Sequence, residues 1–359
     1  MLPYRTVFVI GAGAGHEFGM PLGSALAAKI ADLLRLQASD GISRRKGDAQ
    51  IWDALRDHVQ RCKNAGTPID PAALQRAASE ISAGIQTADS IDDFLDRAKT
   101  RNNASEIILC GKVAIARAIL DAESRSSLRI ESDNIYKPLN LNSIAGTWMM
   151  KLLRMLLRNH PEPANLFENV AFINFNYDRC LEHFLLSALQ VGLGCSAQDS
   201  IDLVRGARIY HPYGVAGELP TLGRGNAPRV SFGGDGSNYL VQIAEHIRTY
   251  TEQIADQSLV QQLQHEIANT EVLVFLGFAY HKPNMDIITP SDPSTEMKRI
   301  FGTALNFSEH DARVIRRYLL RFYAENRQAL VREDIHLNIR RDLSCEELFN
   351  EYGRTLANA

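Results

Sequence analysis

TVFVIGAGAGHEFGMPLGS, residues Thr6–Ser24, is the stretch that decides the fold. Thr6–Ile10 is a β-branched and aromatic apolar run, which reads as a buried strand. It stops at Gly11-Ala12-Gly13-Ala14-Gly15, where small residues let the backbone turn sharply and approach a ligand closely. Beyond Pro21, residues Leu22, Leu26, Ile30, Leu33 and Leu34 recur at helical spacing. Strand, glycine turn and helix in that order can seat a phosphate, with N–H groups and a helix dipole facing the anion. The same turn serves equally as a tight βα connection with no ligand. A Rossmann fingerprint, G-x-G-x-x-G, needs glycine at position 16, where His16 stands, and no clear acidic residue closes a second strand about twenty residues on. An ordinary dehydrogenase is therefore disfavoured.

The rest of the chain bounds the answer. Its 359 residues allow a large core with an insertion or appendage. Charged residues are 23% and hydrophobic ones 45%, the balance of a globular protein. A formal net charge of −3 supplies no global drive toward nucleic acid or anionic membrane, so direct nucleic-acid binding is not expected. Cysteines 62, 110, 180, 195 and 345 form no C-x-x-C pair, which argues against a zinc ribbon and suits a reducing compartment. The N-terminal apolar run is short and lacks a cleavage pattern, and no run approaches membrane-spanning length. A cytoplasmic protein is the expectation.

From Ser39 to about Pro163 the sequence turns Ala-rich and helical, with breaks at Asn64–Pro71 and Ser132–Asn142. Leu74, Ala77, Ala78 and Ile81 share one helical face, as do Ile144, Trp148, Leu152 and Met155. Residues 39–163 thus read as a helical insertion between two parts of a core, 1–38 and 164–290. Within the insertion, Ser90-Ile91-Asp92-Asp93-Phe94-Leu95 looks like a helix N-terminus. Its aspartates either cap that helix, the preferred reading, or face the ligand site.

The core resumes at NVAFINFNY, residues Asn169–Tyr177, whose Val170–Phe175 run suits a buried parallel strand. Asn174, Asn176 and Asp178 gather at its C-terminal end, and a helix follows from Cys180. In open α/β sheets ligands sit outside the carboxyl ends of strands. Asn and Asp there serve also as turn and cap residues. ARIYHPYGVAG, Ala207–Gly217, is a further short strand with His211 and Tyr213 on one face if extended. His211 is either a general base or a hydrogen-bonded structural residue. Leu219–Gly236 is Gly- and Pro-rich and reads as a loop, and Tyr239–Asn269 as helical. Val272–Leu276 is a last strong strand, ending at Gly277-Phe278-Ala279-Tyr280-His281. From Thr295 onward the chain reads as helical and charged, with Arg313, Arg316, Arg317 and Arg321 as a solvated basic stripe, and residues 291–359 are expected to be a helical tail.

Taken in order, three of these turns resemble the sirtuin-like family in its bacterial form. Gly11-Ala12-Gly13 with Gly19-Met20-Pro21 resembles the GAG…GIP signature, and Asn174-Phe175-Asn176-Tyr177-Asp178 resembles the T-Q-N-I-D motif in the N-Y-D form of antiphage relatives. Gly277-Phe278-Ala279 resembles the late turn at the adenosine end. The resemblance implies a doubly wound, Rossmann-like α/β sheet that binds NAD. Gly11, Ala12, Gly13, Gly19, Pro21, Gly277 and Phe278 would bind the dinucleotide, and Asn176, Asp178, His211 and Tyr213 would be catalytic. It implies hydrolysis of NAD to nicotinamide and ADP-ribose as a defence effector, held inactive in an oligomer or by a partner such as an ATPase. The alternative is a catalytically deficient NAD or ADP-ribose sensor or scaffold. Three departures bear on the choice. Tyr213, not histidine, precedes Gly214; Gly15 replaces a common serine; and Leu22-Gly23-Ser24 replaces Asp-Phe-Arg. Without paired cysteines, neither zinc nor another metal is expected.

Overall fold

In a computed structural model, Thr6–Ile10 forms the central strand β1, buried at all five positions. Residues 2–36, 47–130, 139–158, 162–223, 225–250, 252, 256–293 and 296–358 are described; the Arg35–Gly47 stretch and the second expected break lie mostly outside them. β1 pairs in parallel with β2 (Val170–Asn174) on one side and with β4 (Val272–Leu276) on the other. β3 (Arg208–Tyr210) extends the sheet beyond β2, while β5 (Arg299–Thr303) and β6 (Leu337–Arg340) extend it beyond β4. The order is β3-β2-β1-β4-β5-β6, all parallel. This is the doubly wound, Rossmann-like arrangement, in which the direction of winding reverses between β1 and β4.

The three central strands are buried along their whole length because helices flank the sheet, which is why they read as unbroken apolar runs. β3, β5 and β6 are less conspicuous. β3 has three half-buried residues, and β6 alternates Leu, Asn, Ile and Arg at an edge. The region expected to be a helical tail is helical over Glu309–Leu320 and Cys345–Asn358, but it also contributes β5 and β6. The expected helix over Tyr239–Asn269 is broken: Leu240–His246 ends where Ile247 turns extended, and Gln257–Ala268 starts afresh at Asp256, whose side chain accepts from the Leu259 N–H.

Helices Ala49–Asn64, Pro71–Gly84, Ile91–Ala98, Ala104–Glu123 and Trp148–Leu156 make up the insertion, and their buried faces join the same hydrophobic core as the sheet. Polar links tie it to the core. The Arg179 side chain, after β2, is buried against Glu123 at the end of the Ala104–Glu123 helix, with Nε donating to Oε1 at 3.1 Å. Glu17, just after the glycine turn, accepts from the backbone N–H of Trp148 at 2.9 Å and of Glu346 at 2.8 Å. One carboxylate therefore caps an insertion helix and the C-terminal helix together.

Candidate functional site

Four strand ends open onto one cavity of about 600 Å³. After β1 come Gly11 and Ala12; after β2, Phe175, Asn176, Tyr177 and Asp178; after β3, Tyr213; after β4, Phe278 and Ala279. Pro21, Gly23 and Ser24 line it at the start of the Gly23–Leu33 helix, Asp89–Asp93 at the start of Ile91–Ala98, and Asp96 farther along that helix. The cavity thus sits at the carboxyl ends of the strands, where the winding reverses. Its size falls within the roughly 300–1,000 Å³ of small-molecule sites.

The glycine turn works differently from its sequence reading. Gly13 N–H donates to the Gly277 carbonyl at 2.9 Å, so the turns after β1 and β4 cross backbone to backbone. A Cβ on Gly277 would stand 2.0 Å from Ala14 N, and one on Gly13 2.7 Å from Gly277 Cα. The close approach that requires glycine at 13 and 277 is to each other, and neither residue lines the cavity. Gly19 also lies off the cavity; its left-handed φ of +83° ends a single turn of 3-10 helix. Gly23 is placed otherwise, since a Cβ there would meet nothing within 4 Å. It opens an eleven-residue helix with no side-chain cap, leaving its first N–H groups available to an anion in the cavity.

Asn174 and Asn176 set the β2 end. Asn174 Oδ1 accepts from the Asn176 N–H at 3.1 Å, and Asn176 Nδ2 donates to the Gly11 carbonyl at 3.1 Å. Asn176 itself lines the cavity, and its Oδ1 has no hydrogen-bond partner among the described residues. Asp178 is buried, with Oδ1 accepting from the Cys180 N–H at 3.1 Å at the start of the next helix. Burial raises its carboxyl to about 6, against the lowering effect of Cys180.

Of the two residues in question after β3, only Tyr213 reaches the cavity. Its hydroxyl donates to Asn284 Oδ1 at 2.5 Å, and its ring packs edge-on to Phe175 at 5.7 Å. His211 points to a separate, smaller cavity of about 270 Å³. There Nε2 meets Glu182 Oε1 at 2.6 Å and Nδ1 faces the Asn176 carbonyl at 3.3 Å. Burial alone would lower the imidazole, but the Glu182 carboxylate holds it above its ordinary value. In the chain's extended reading His211 and Tyr213 share a face; a turn after Tyr210 separates them.

Three further residues contribute: Tyr177 and Asn284, which the sequence does not mark as site residues, and Asp92, for which the sequence gives the ligand site as second choice. Tyr177 donates its hydroxyl hydrogen to Asp92 across the boundary between core and insertion. Asp92 is the second residue of its helix, which Ser90 caps by accepting from the Asp93 N–H at 3.1 Å. The Ser-x-x-Asp spacing is the signal that places Asp92 at a helix start. The side-chain cap is Ser90 rather than an aspartate, and Asp92 lines the cavity. Asn284 follows β4 and holds Tyr213. Nearby, Tyr280 adopts a left-handed φ of +55°, fixed by its hydroxyl bond to the Thr303 carbonyl at 3.1 Å and by packing on Phe278. That strained residue sets the backbone of Phe278 and Ala279 at the rim.

All five cysteines are free. Among the described residues no group of His, Cys, Asp and Glu could hold a metal ion, and no helix is long and apolar enough to cross a membrane. No protein-family model matches the chain, and no curated protein matches it either.

Proposed function

We propose that this cavity binds NAD and that the protein hydrolyses it to nicotinamide and ADP-ribose. The observation that carries the reading is the convergence of four parallel strand ends on one cavity at the reversal point of a β3-β2-β1-β4-β5-β6 sheet. The sirtuin-like resemblance of the three turns supplies the substrate class, and two of those turns, together with Phe278 of the third, line the cavity.

In this reading the open N-terminus of the Gly23–Leu33 helix faces the pyrophosphate, beside Ala12 and Pro21. Asn176, anchored through Nδ2, presents Oδ1 as an acceptor for a ribose hydroxyl or for water. Asp178 serves the turn and the following helix rather than the substrate directly. Phe175 and Phe278, 5.2 Å apart, exclude water from beneath the site. Cleavage of a nicotinamide–ribose bond passes through a cationic state, which needs placed oxygens and an enclosed pocket more than a strong nucleophile. An oligomer or an ATPase partner that restrains the activity, in a bacterial defence setting, belongs to the same proposal through the resemblance.

The placement of His211 favours a second reading. With its imidazole held by Glu182 outside the cavity, the chain would bind NAD or ADP-ribose as a sensor without turnover. Nicotinamide release from NAD, measured on the purified protein alone and with partners, separates the two. Release lost in Asn176→Ala supports hydrolysis; binding of ADP-ribose with no release under any condition supports the sensor.

A further inference from the structure

The charges around the cavity are unevenly compensated. Asp93 is held by Arg97, whose Nε donates to its Oδ1 at 3.0 Å. Asp96 faces the Lys99 ammonium at 3.2 Å, and Lys282 is itself paired with Asp286. Asp92 differs. Its side-chain partner among the described residues is the Tyr177 hydroxyl, a neutral donor that leaves the negative charge undiminished. Tyr177 is itself buried and lines the same cavity.

Burial raises the Asp92 carboxyl to about 6, the Tyr177 bond offsetting only part of the cost. At pH 7.5 the group is therefore ionised, though in a place that disfavours ionisation. An uncompensated carboxylate lining a cavity is poorly explained by stability, since an amide of the same shape would keep the contact without the charge. It is well explained by a ligand that brings a positive charge.

We infer that Asp92 is a specificity-determining residue that selects the oxidised dinucleotide by facing its pyridinium ring. This rests on the reading of the cavity as a dinucleotide site. Of the groups on NAD, only the pyridinium carries positive charge; NADH lacks that charge, and ADP-ribose lacks the ring. The phosphates belong at the Gly23–Leu33 helix start and the nicotinamide end belongs near Asp92, because each region then meets its opposite sign. The inserted helices thereby do more than cover the sheet: they bring the charge that reads the redox state of the ligand.

The test is calorimetric titration of the full chain at pH 7.5 with three probes: carba-NAD, a pyridinium dinucleotide whose carbocyclic ribose resists hydrolysis, NADH, and ADP-ribose. The wild-type protein is expected to bind carba-NAD about tenfold more tightly than NADH. In Asp92→Asn that ratio falls to within about twofold while ADP-ribose affinity stays within about twofold of wild type. Tyr177→Phe keeps the carboxylate and is expected to keep the preference. Equal wild-type affinity for carba-NAD and NADH overturns the inference whether or not any variant folds. So does a preference that survives in Asp92→Asn or disappears in Tyr177→Phe. Binding of ADP-ribose with a flat ratio overturns the role of Asp92 alone, whereas failure of all three probes to bind the wild-type chain removes the dinucleotide reading and the inference with it.

Discussion

The side-chain amide of Asn176 donates to the carbonyl oxygen of Gly11 at 3.1 Å, tying the end of β2 to the end of β1 across 165 residues of sequence. The bond commits the amide nitrogen to the scaffold in a residue that lines the cavity. Asn176→Ala removes the anchor and the lining side chain together. Loss of the hydrogen bond is expected to lower stability by about 1 kcal/mol in denaturant unfolding. Nicotinamide release is expected to fall by about a hundredfold, because the acceptor that orients the reacting groups is gone. A variant that loses stability but keeps turnover would remove Asn176 from the site.

Gly277 and Gly23 make a paired comparison. Gly277 has φ +56° and no room for a Cβ, so Gly277→Ala is expected to cost more than about 3 kcal/mol or to prevent folding. Gly23→Ala meets open space at the start of a helix, so the thermal midpoint is expected to hold or rise. The methyl group would stand beside the anion site, and ADP-ribose affinity is the measurement that checks whether it intrudes.

The Asp92 carboxyl, raised to about 6 by burial, makes stability depend on pH with a definite sign. The folded state holds this proton more tightly than the unfolded chain does. Stability from this group is therefore greatest below the ordinary Asp value of 3.8 and declines as pH rises toward 6. Asp92→Asn is expected to raise stability at pH 7.5 by on the order of 1–3 kcal/mol, with the gain shrinking toward pH 4. Thermal midpoints of the two proteins across that range check it; a variant less stable at pH 7.5 would contradict the uncompensated charge.

His211 and Glu182 carry the opposite dependence. The imidazole is held above its ordinary 6.5, so its contribution is full below that value and lost as pH rises through the raised one. Burial would raise Glu182, but His211 holds it below its ordinary 4.5, so its contribution is present above 4.5 and lost as pH falls. The pair therefore stabilises most between 4.5 and 6.5. His211→Ala is expected to cost about 3 kcal/mol in that window and less above it. Because His211 lies outside the cavity, nicotinamide release at pH 8 is expected to keep its wild-type order of magnitude. Collapse of release at full stability would assign the histidine a direct part.

How much of this was legible beforehand follows burial and locality. β1, β2 and β4 are covered on both faces, so their hydrophobic runs are continuous and stand out in the sequence. Their order along the chain, with a glycine or Asn-rich turn after each, was enough to imply a parallel sheet and to place polar residues at one rim. β5 opens on Arg299, and β6 alternates polar and apolar residues over four positions at an edge, so neither separates from the charged helices around it. Leu240, Ile243, Ile247 and Ile254 keep helical spacing through Tyr239–Asn269, so the break at Ile247, where the backbone turns extended, does not show in the pattern.

The sequence by itself determined the strands that fill the core and the residue types at their ends, because local periodicity and turn chemistry depend on near neighbours. Only the tertiary structure decided what those residues do. Gly13 needs to be glycine because Gly277 crosses it, His211 turns away because Glu182 is there to receive it, and Asp92 lines the cavity beside Tyr177, 85 residues away in the chain. Such partners are distant along the chain, and a carboxylate's role is set by which opposite charges are near it and which are absent, a property of the folded molecule alone.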